Sequence, residues 1–272
     1  MEWPEARERL RAPVFAPFHA AIARLPADRW PDPADLTAIA PEVATLRGSP
    51  IRFVAPRPPE ERGRTYYEQH IAETGEVETR AQNWHDLFNA LAWIAYPKAK
   101  AAINAQHAAL LAERGEAEAK QRGPERDALT LFDESGVVVA SASPELLRLI
   151  VDHEWKELFW RRRSDLEARA RFFAFGHAFV EKALHPRTGI GTKTVFVPVD
   201  ELFFMLPVEA QVARADEELA RHFTHRSRFT SPKSMASLPA MGIPGWHPGN
   251  ASEDFYDDAS HFRPMPGDAR VR

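Results

Sequence analysis

The chain has 272 residues, 44% of them apolar, which is enough for a sizeable core and argues against disorder along its length. A net charge of −4 gives no electrostatic reason to expect nucleic acid or an anionic membrane as partner, and the absence of cysteine excludes disulfides, thiol nucleophiles and cysteine-based zinc sites. No apolar run approaches the roughly 20 residues of a membrane span, and Met1-Glu2-Trp3-Pro4-Glu5 lacks a leader pattern, so the expectation is a soluble, cytoplasmic protein.

Residues 1–50 are divided by proline into short helical pieces, where Asp32 followed by Pro33 is an N-cap with proline at the first helical position. Ile51 to Val54 reads as a short strand. Tyr67, Gln69 and Ile71 alternate before Thr74-Gly75, and Val77 and Thr79 alternate after it, which predicts a β-hairpin. Its second strand leads into a helix from Asn83 to Tyr96, ended by Pro97, and an alanine-rich helix then runs from Lys98 to a stop at Gly115. Residues 115–126 are charged and expected to be exposed. Leu129 to Phe132 and Val137 to Ala140 flank Asp133-Glu134-Ser135-Gly136, the pattern of a second hairpin.

Ser143-Pro144-Glu145 opens a helical region reaching about His185, with a break near Ser164-Asp165. Ile190 to Val199 reads as a strand and Val208 to Phe223 as a helix. From Ser231 onward proline and glycine recur, but Met241, Ile243, Trp246, Phe255, Tyr256 and Phe262 supply enough apolar surface to dock this strap on the body. The expected fold is α+β: a mainly helical single domain over 1–272, with two or three short hairpins and an irregular Pro/Gly-rich C-terminal strap. Residues 1–50 form its N-terminal strap, 51–230 its core and 231–272 the docked C-terminal strap.

The stretch 83–97 stands out because neither helical face is built for water. Trp84, Leu87, Phe88, Leu91, Ile94 and Ala95 share one arc, and His85, Asp86, Asn89, Trp93 and Tyr96 the other, with Asp86 the one full charge. A buried face that is polar but uncharged needs hydrogen-bond partners or a ligand. If the helices on either side of Pro97 are antiparallel, counting from the turn brings Asn104 and His107 level with this face, so that His85, Asp86, Asn89, Asn104 and His107 meet. Imidazole with carboxylate suits a divalent metal or acid–base work near neutral pH. The His85-Asp86 pair is similar to the central element of HD-type metal phosphohydrolases, whose further ligands would fall on His70 and Asp127, although His70 lies in the predicted hairpin. Against this, Asn83 is a good N-cap and Asp86 favours a helix N-terminus, so both have a local explanation.

Three other groupings have simpler readings. His177, Glu181 and His185 repeat at four-residue spacing, as a metal site or, preferably, a structural ladder, with Gly176 marking close packing. Trp155 to Phe173 interleaves aromatics with arginines, as in nucleic-acid binders, but acids are interleaved too and the overall charge gives no support. The C-terminal strap carries His247, Asp254, Asp257, Asp258 and His261, a candidate lid or simply a docked tail. There is no P-loop, dinucleotide fingerprint or Gly-x-Ser-x-Gly elbow.

With these residues in view, the chain resembles a bacterial family of unknown function, domain of unknown function family three thousand and twenty-five. The resemblance rests on Tyr67-Glu68, Gly75, Thr79-Arg80, the run Asn83 to Trp93, Pro97-Lys98, Asn104, His107, Arg126-Asp127, Phe132-Asp133-Glu134, Gly176-His177 and Gly242-Ile243-Pro244-Gly245-Trp246. It implies a bacterial origin and supplies no activity. From the residues themselves, the expectation is a metal-dependent hydrolase acting on a phosphoester. His85, Asp86 and His107 would be catalytic, the same three with Asp127 would hold a divalent metal, and Asn89, Asn104 and Trp93 would contact a small-molecule substrate. The alternative is a non-catalytic small-ligand or protein-binding module with a structural His/Asn cluster.

Overall fold

Proline and small polar residues set most of the helix starts. In the computed structural model, which describes residues 2–40, 42–58, 60 and 66–265, helix α1 (Trp3–Arg9) has Pro4 in its first turn and is followed by a 3₁₀ segment at Pro13–Phe18 and by α2 (His19–Ala23). Helix α3 (Pro33–Ala38) opens on a reciprocal cap: Asp32 Oδ1 accepts from the Asp35 amide at 2.9 Å, and Asp35 Oδ2 accepts from the Asp32 amide at 2.8 Å. Strand β1 (Arg52–Val54), helix α4 (Tyr67–Thr74) and strand β2 (Glu76–Glu78) precede α5 (Trp84–Ala95) and α6 (Pro97–Lys120). Then come α7 (Pro124–Ser135), β3 (Gly136–Ser141), α8 (Pro144–Val151), a π turn at Glu157–Arg161, α9 (Arg163–Arg169) and β4 (Ala170–Ala174). Helix α10 (His177–Ala183), β5 (Gly191–Pro198), α11 (Val208–Phe223) and β6 (Ala236–Pro239) complete the regular elements. The fold is α+β and mainly helical.

The main sheet has the order β4-β3-β5-β6. β3 runs antiparallel to β4 and parallel to β5, and β6 is antiparallel to β5. All six residues of β3 are buried, as a central strand covered on both faces requires. β1 and β2 form a separate parallel pair.

Two predicted hairpins are helices instead. Residues 67–74 form α4, and Gly75, with φ of 75°, is its left-handed C-terminal cap rather than a hairpin turn. Residues 124–135 form α7, which runs into β3 without a turn at Asp133-Glu134-Ser135-Gly136. The helical region expected up to His185 is interrupted by β4, because Phe173 and Ala174 are buried in the sheet. The stop at Gly115 is a break, with φ 61° and ψ −144°, after which helix resumes and buries Glu118.

Helix α5 buries Leu87, Phe88, Ala90, Leu91, Ala92 and Trp93. Each large apolar side chain so buried contributes roughly 1.5–3 kcal/mol. The start of α6 is capped from a distance: Asp216 on α11 accepts from the Lys98 amide at 3.1 Å and the Ala99 amide at 2.8 Å. Tyr96, fully buried at the α5–α6 corner, donates to the Ala174 carbonyl at 3.0 Å and ties that corner to β4. Among its described residues the C-terminal strap packs on the body. Asn250 donates to the Met241 and Ile243 carbonyls at 2.9 and 2.6 Å, and Tyr256 and Phe262 are buried. Among the described residues no helix is long and apolar enough to cross a membrane.

Candidate metal centre and its pocket

Helices α4, α5, α6, α7 and α10 converge on one cavity of about 620 Å³, within the usual range for small-molecule sites. Helix α5 contributes His85, Asp86, Asn89 and Trp93, α6 contributes Lys100, Asn104 and His107, and the two ends of α7 contribute Arg126 and the pair Asp133-Glu134. His177, at the first turn of α10, closes one end.

The convergence depends on a close backbone approach. A side chain at Gly176 would put its Cβ 2.3 Å from the Gly136 amide nitrogen and 2.4 Å from Ser135 Cα, so only glycine lets the start of α10 rest on the end of α7. The Phe175 and Gly176 amides both donate to the Gly136 carbonyl, at 3.0 and 2.9 Å. His177 is thereby set beside Glu134, and α5 delivers His85 from the opposite side.

The resulting trio is His85, Glu134 and His177, whose ligating atoms all lie within 4.8 Å of one another. His177 Nε2 is 3.2 Å from His85 Nε2 and 3.5 Å from Glu134 Oε2. Donors on a tetrahedral ion at 2.0–2.1 Å stand about 3.3 Å apart, so the spacing fits one divalent cation. The outer nitrogens face carboxylates: His85 Nδ1 is 3.5 Å from Glu181, and His177 Nδ1 is 3.8 Å from Asp133. Glu181 favours the proton on Nδ1 of His85 and so turns its Nε2 lone pair inward, as beside a bound metal, whereas His177 Nδ1 is buried with no hydrogen-bond partner among the described residues.

Electrostatics agree. Burial, with Lys100 and His85 nearby, pushes the His177 imidazole down to about 4, leaving it neutral near pH 7. Burial beside Asp133 raises the Glu134 carboxyl. Burial also works to raise Asp133, but Lys100 and His177 outweigh it and hold that carboxyl below its ordinary range. Lys100 Nζ reaches Asp133 Oδ1 at 2.5 Å and Asn89 Oδ1 at 2.9 Å, and lies 5.4 Å from the Trp93 ring centre.

Of the residues expected at the site, His85 stands in the trio, and Asn89, Trp93, Asn104 and His107 line the same cavity. Asp86 does not join the trio. Its two oxygens are taken by the Arg80 guanidinium and amide, each bond at 2.8 Å, while Asn83 caps the Asp86 amide at 3.0 Å. Burial raises the Asp86 carboxyl less than Arg80 lowers it, as its role in starting α5 implies. Asp127 is exposed and outside the cavity lining, because α7 turns its side chain to solvent. His70 is on helix α4, but its Nε2 lies 3.2 Å from Glu76 and 3.3 Å from the Thr74 hydroxyl, also outside the lining. The HD-type set is therefore not assembled. Asn104 donates to Glu68 at 2.8 and 2.7 Å, and His107 Nδ1 accepts from Arg126 Nε at 3.4 Å.

Glu134, Asp133 and Lys100 were missed as members of the site, and His177 was placed in the wrong set. His185 lies beyond the end of α10, 3.4 Å from Arg9, so the ladder with His177 and Glu181 does not form. The signal that could have found the trio lay in Phe132-Asp133-Glu134 and Gly176-His177, two of the segments that carry the family resemblance. The arginines of Trp155 to Phe173 are engaged: Arg162 pairs with Asp165 at 2.5 Å, Arg169 with Glu201 at 3.1 Å, and Arg163 donates to the Asn250 carbonyl at 2.5 Å. No described residue of the C-terminal strap lines the cavity.

Comparison with family models matches residues 51–266 to the protein family of unknown function DUF3025. No curated protein and no solved structure matches the chain.

Proposed function

The chain belongs to this family of unknown function, and we propose from the site itself that it is a metal-dependent hydrolase acting on a phosphoester, with the ion held by His85, Glu134 and His177. The observation that carries the reading is the 3.2 Å approach of two imidazole nitrogens whose outer nitrogens both face carboxylates. The close pair of nitrogens is satisfied either by a proton on one Nε2, as a histidine–histidine hydrogen bond, or by a cation shared with the Glu134 oxygen at 3.5 Å, and the carboxylate favours the cation. A bound divalent ion supplies Lewis acidity and a water acidified toward neutral pH. The chain's own residues do the rest. Glu181 and Asp133 orient the two rings, Lys100 keeps Asp133 charged, and Asn89 and Trp93 shape the cavity beside them. The lining mixes cations with carboxylates, and the preference for a phosphoester over a neutral ester rests on Arg122 and Arg126, which no carboxylate holds at short range among the described residues.

The test uses untagged protein stripped with a chelator and then supplied with Mn²⁺, Zn²⁺ or Mg²⁺. One ion per chain should bind, raise the melting temperature and support hydrolysis of a para-nitrophenyl phosphodiester. His177→Ala and Glu134→Gln should each weaken metal binding by more than about 100-fold, since even outer partners are worth roughly 10–100-fold. No binding and no turnover with any of these ions would contradict the proposal. A His₂-carboxylate set also suits ferrous iron, and iron loading with oxygen uptake instead of hydrolysis would keep the site and replace the reaction. The competing reading, a non-catalytic binding module, draws on the local ties of Asn104 and His107. It predicts metal or ligand binding without turnover.

A further inference from the structure

We infer that the end of the cavity formed by His107, Arg122 and Arg126 is an anion subsite, which receives a second acidic group, phosphate or carboxylate, carried by the substrate away from the bond cleaved. This rests on the hydrolase reading for the word substrate; the subsite itself stands on its own side chains.

Four cationic side chains line the cavity: Arg80, Lys100, Arg122 and Arg126. Two are neutralised by direct carboxylate bonds, Arg80 by Asp86 and Lys100 by Asp133. The other two are not. Arg122 donates Nη1 to the Thr130 hydroxyl at 2.9 Å and, among the described residues, has no carboxylate partner. Arg126, with its side chain only 11% exposed, donates Nη1 to the Glu118 carbonyl at 2.8 Å and Nε to His107, and its closest carboxylate contact is Glu118 Oε1 at 3.9 Å. The Glu118 carboxylate is already engaged by the Gly123 amide at 2.8 Å and by Arg114 at 3.4 Å. Of the other acids near Arg126, Glu68 is engaged by Asn104 at 2.7 Å, and Asp127 is exposed and outside the lining.

Among the described residues, Arg126 Nη2 therefore has no partner. A guanidinium this enclosed ordinarily meets a carboxylate or phosphate through both arms of its fork. His107 points the same way. Because its Nδ1 accepts from Arg126, its proton sits on Nε2, a donor without a protein partner on a residue of the lining. Burial, reinforced by Arg126 and Lys100, holds this imidazole below its ordinary value, so its Nδ1 remains an acceptor near pH 7. Arg126 Nη2, the free arms of Arg122 and the His107 Nε2–H are thus donors without a partner among the described residues, beside carboxylates, Glu118 and Glu68, that are engaged by other groups, and beside one acceptor, Asn104 Oδ1, that is itself unpartnered. Burial and the neighbouring Arg122 also lower the Arg126 guanidinium, the strain that a bound anion relieves.

The experiment is calorimetric titration of the chelator-stripped full chain with inorganic phosphate and, separately, with acetate, at low and high salt. Saturable binding of either ion, weakened by salt, is expected, and the preferred ion names the acidic group. Arg126→Gln and Arg122→Gln should each weaken it at least about 10-fold, and Arg148→Gln, an exposed arginine outside the cavity, should leave it unchanged. Arg122 is exposed and, among the described residues, ties only to Thr130, so its variant keeps the test valid where Arg126→Gln fails to fold. Binding that is absent, indifferent to both arginine variants or equally weakened in Arg148→Gln overturns the inference. Because metal is absent throughout, failure here is separate from failure of the metal proposal, which Mn²⁺ binding to Arg122→Gln reads independently.

Discussion

Lys100 concentrates the energetics of the site in one side chain. Its side chain is 4% exposed and its ammonium lies 2.5 Å from the half-buried Asp133 carboxylate, so removing it leaves an uncompensated charge in the wall of the cavity. Lys100→Met should destabilise the protein by about 3–5 kcal/mol in urea unfolding. Most of that loss should return in Lys100→Met with Asp133→Asn; if the double variant is no more stable than the single one, the pairing does not govern stability. His222 on α11 gives a pH test away from the site. Burial, with Arg228 close by, pushes its imidazole down to about 4, and its Nε2 is buried without a partner. The unfolded chain takes up this proton near pH 6.5, so stability falls as pH drops from about 6.5 toward 4, by at most about 3 kcal/mol and less for a half-buried ring. His222→Leu should flatten unfolding free energies between pH 7 and 5. An unchanged slope would show that other groups set it.

At the scale of elements, the join between α7, β3 and α10 decides whether the trio exists. Gly176→Ala should lower the melting temperature and weaken metal binding together, because the added methyl meets backbone at 2.3 Å and must push α10 away from Glu134. Metal affinity that survives a large drop in melting temperature would mean that α10 does not position the trio. Asn83→Ala, by contrast, should cost only about 1 kcal/mol, the worth of a helix cap. Elements with strong local punctuation were legible in the sequence: the Asp32 cap, α5 with its stop before Pro97, the break at Gly115, β5 and α11. Those with two local readings were not. Alternation over residues 67–71 fits a short strand, yet Gly75 serves equally as a left-handed helix cap, and packing of α4 on α6 chose the helix. Pro124 after Gly123, with Glu125 and Asp127 in the first turn, was a helix start that the apolar run Leu129 to Phe132 obscured.

For the whole molecule, the cavity is assembled from α4 through α10, and its chemistry is long-range. His85 and His177 stand 92 residues apart in sequence and 3.2 Å apart in space. Helical periodicity reports which side chains share a face and nothing about which distant helix meets that face. That is why His85, Asn89, Asn104 and His107 are recognisable as one polar surface, while no local pattern links them to Glu134 and His177, which the fold brings beside His85. Asp86 was favoured by adjacency alone, and Arg80, six residues upstream, satisfies it. The central claim is the position of the ion, and the most direct measurement is an anomalous-difference map from crystals grown with zinc. We expect one peak about 2.0–2.2 Å from His85 Nε2, His177 Nε2 and a Glu134 carboxylate oxygen. No peak at that trio, or a peak held instead by Asp86, His107 or Asp127, would contradict it.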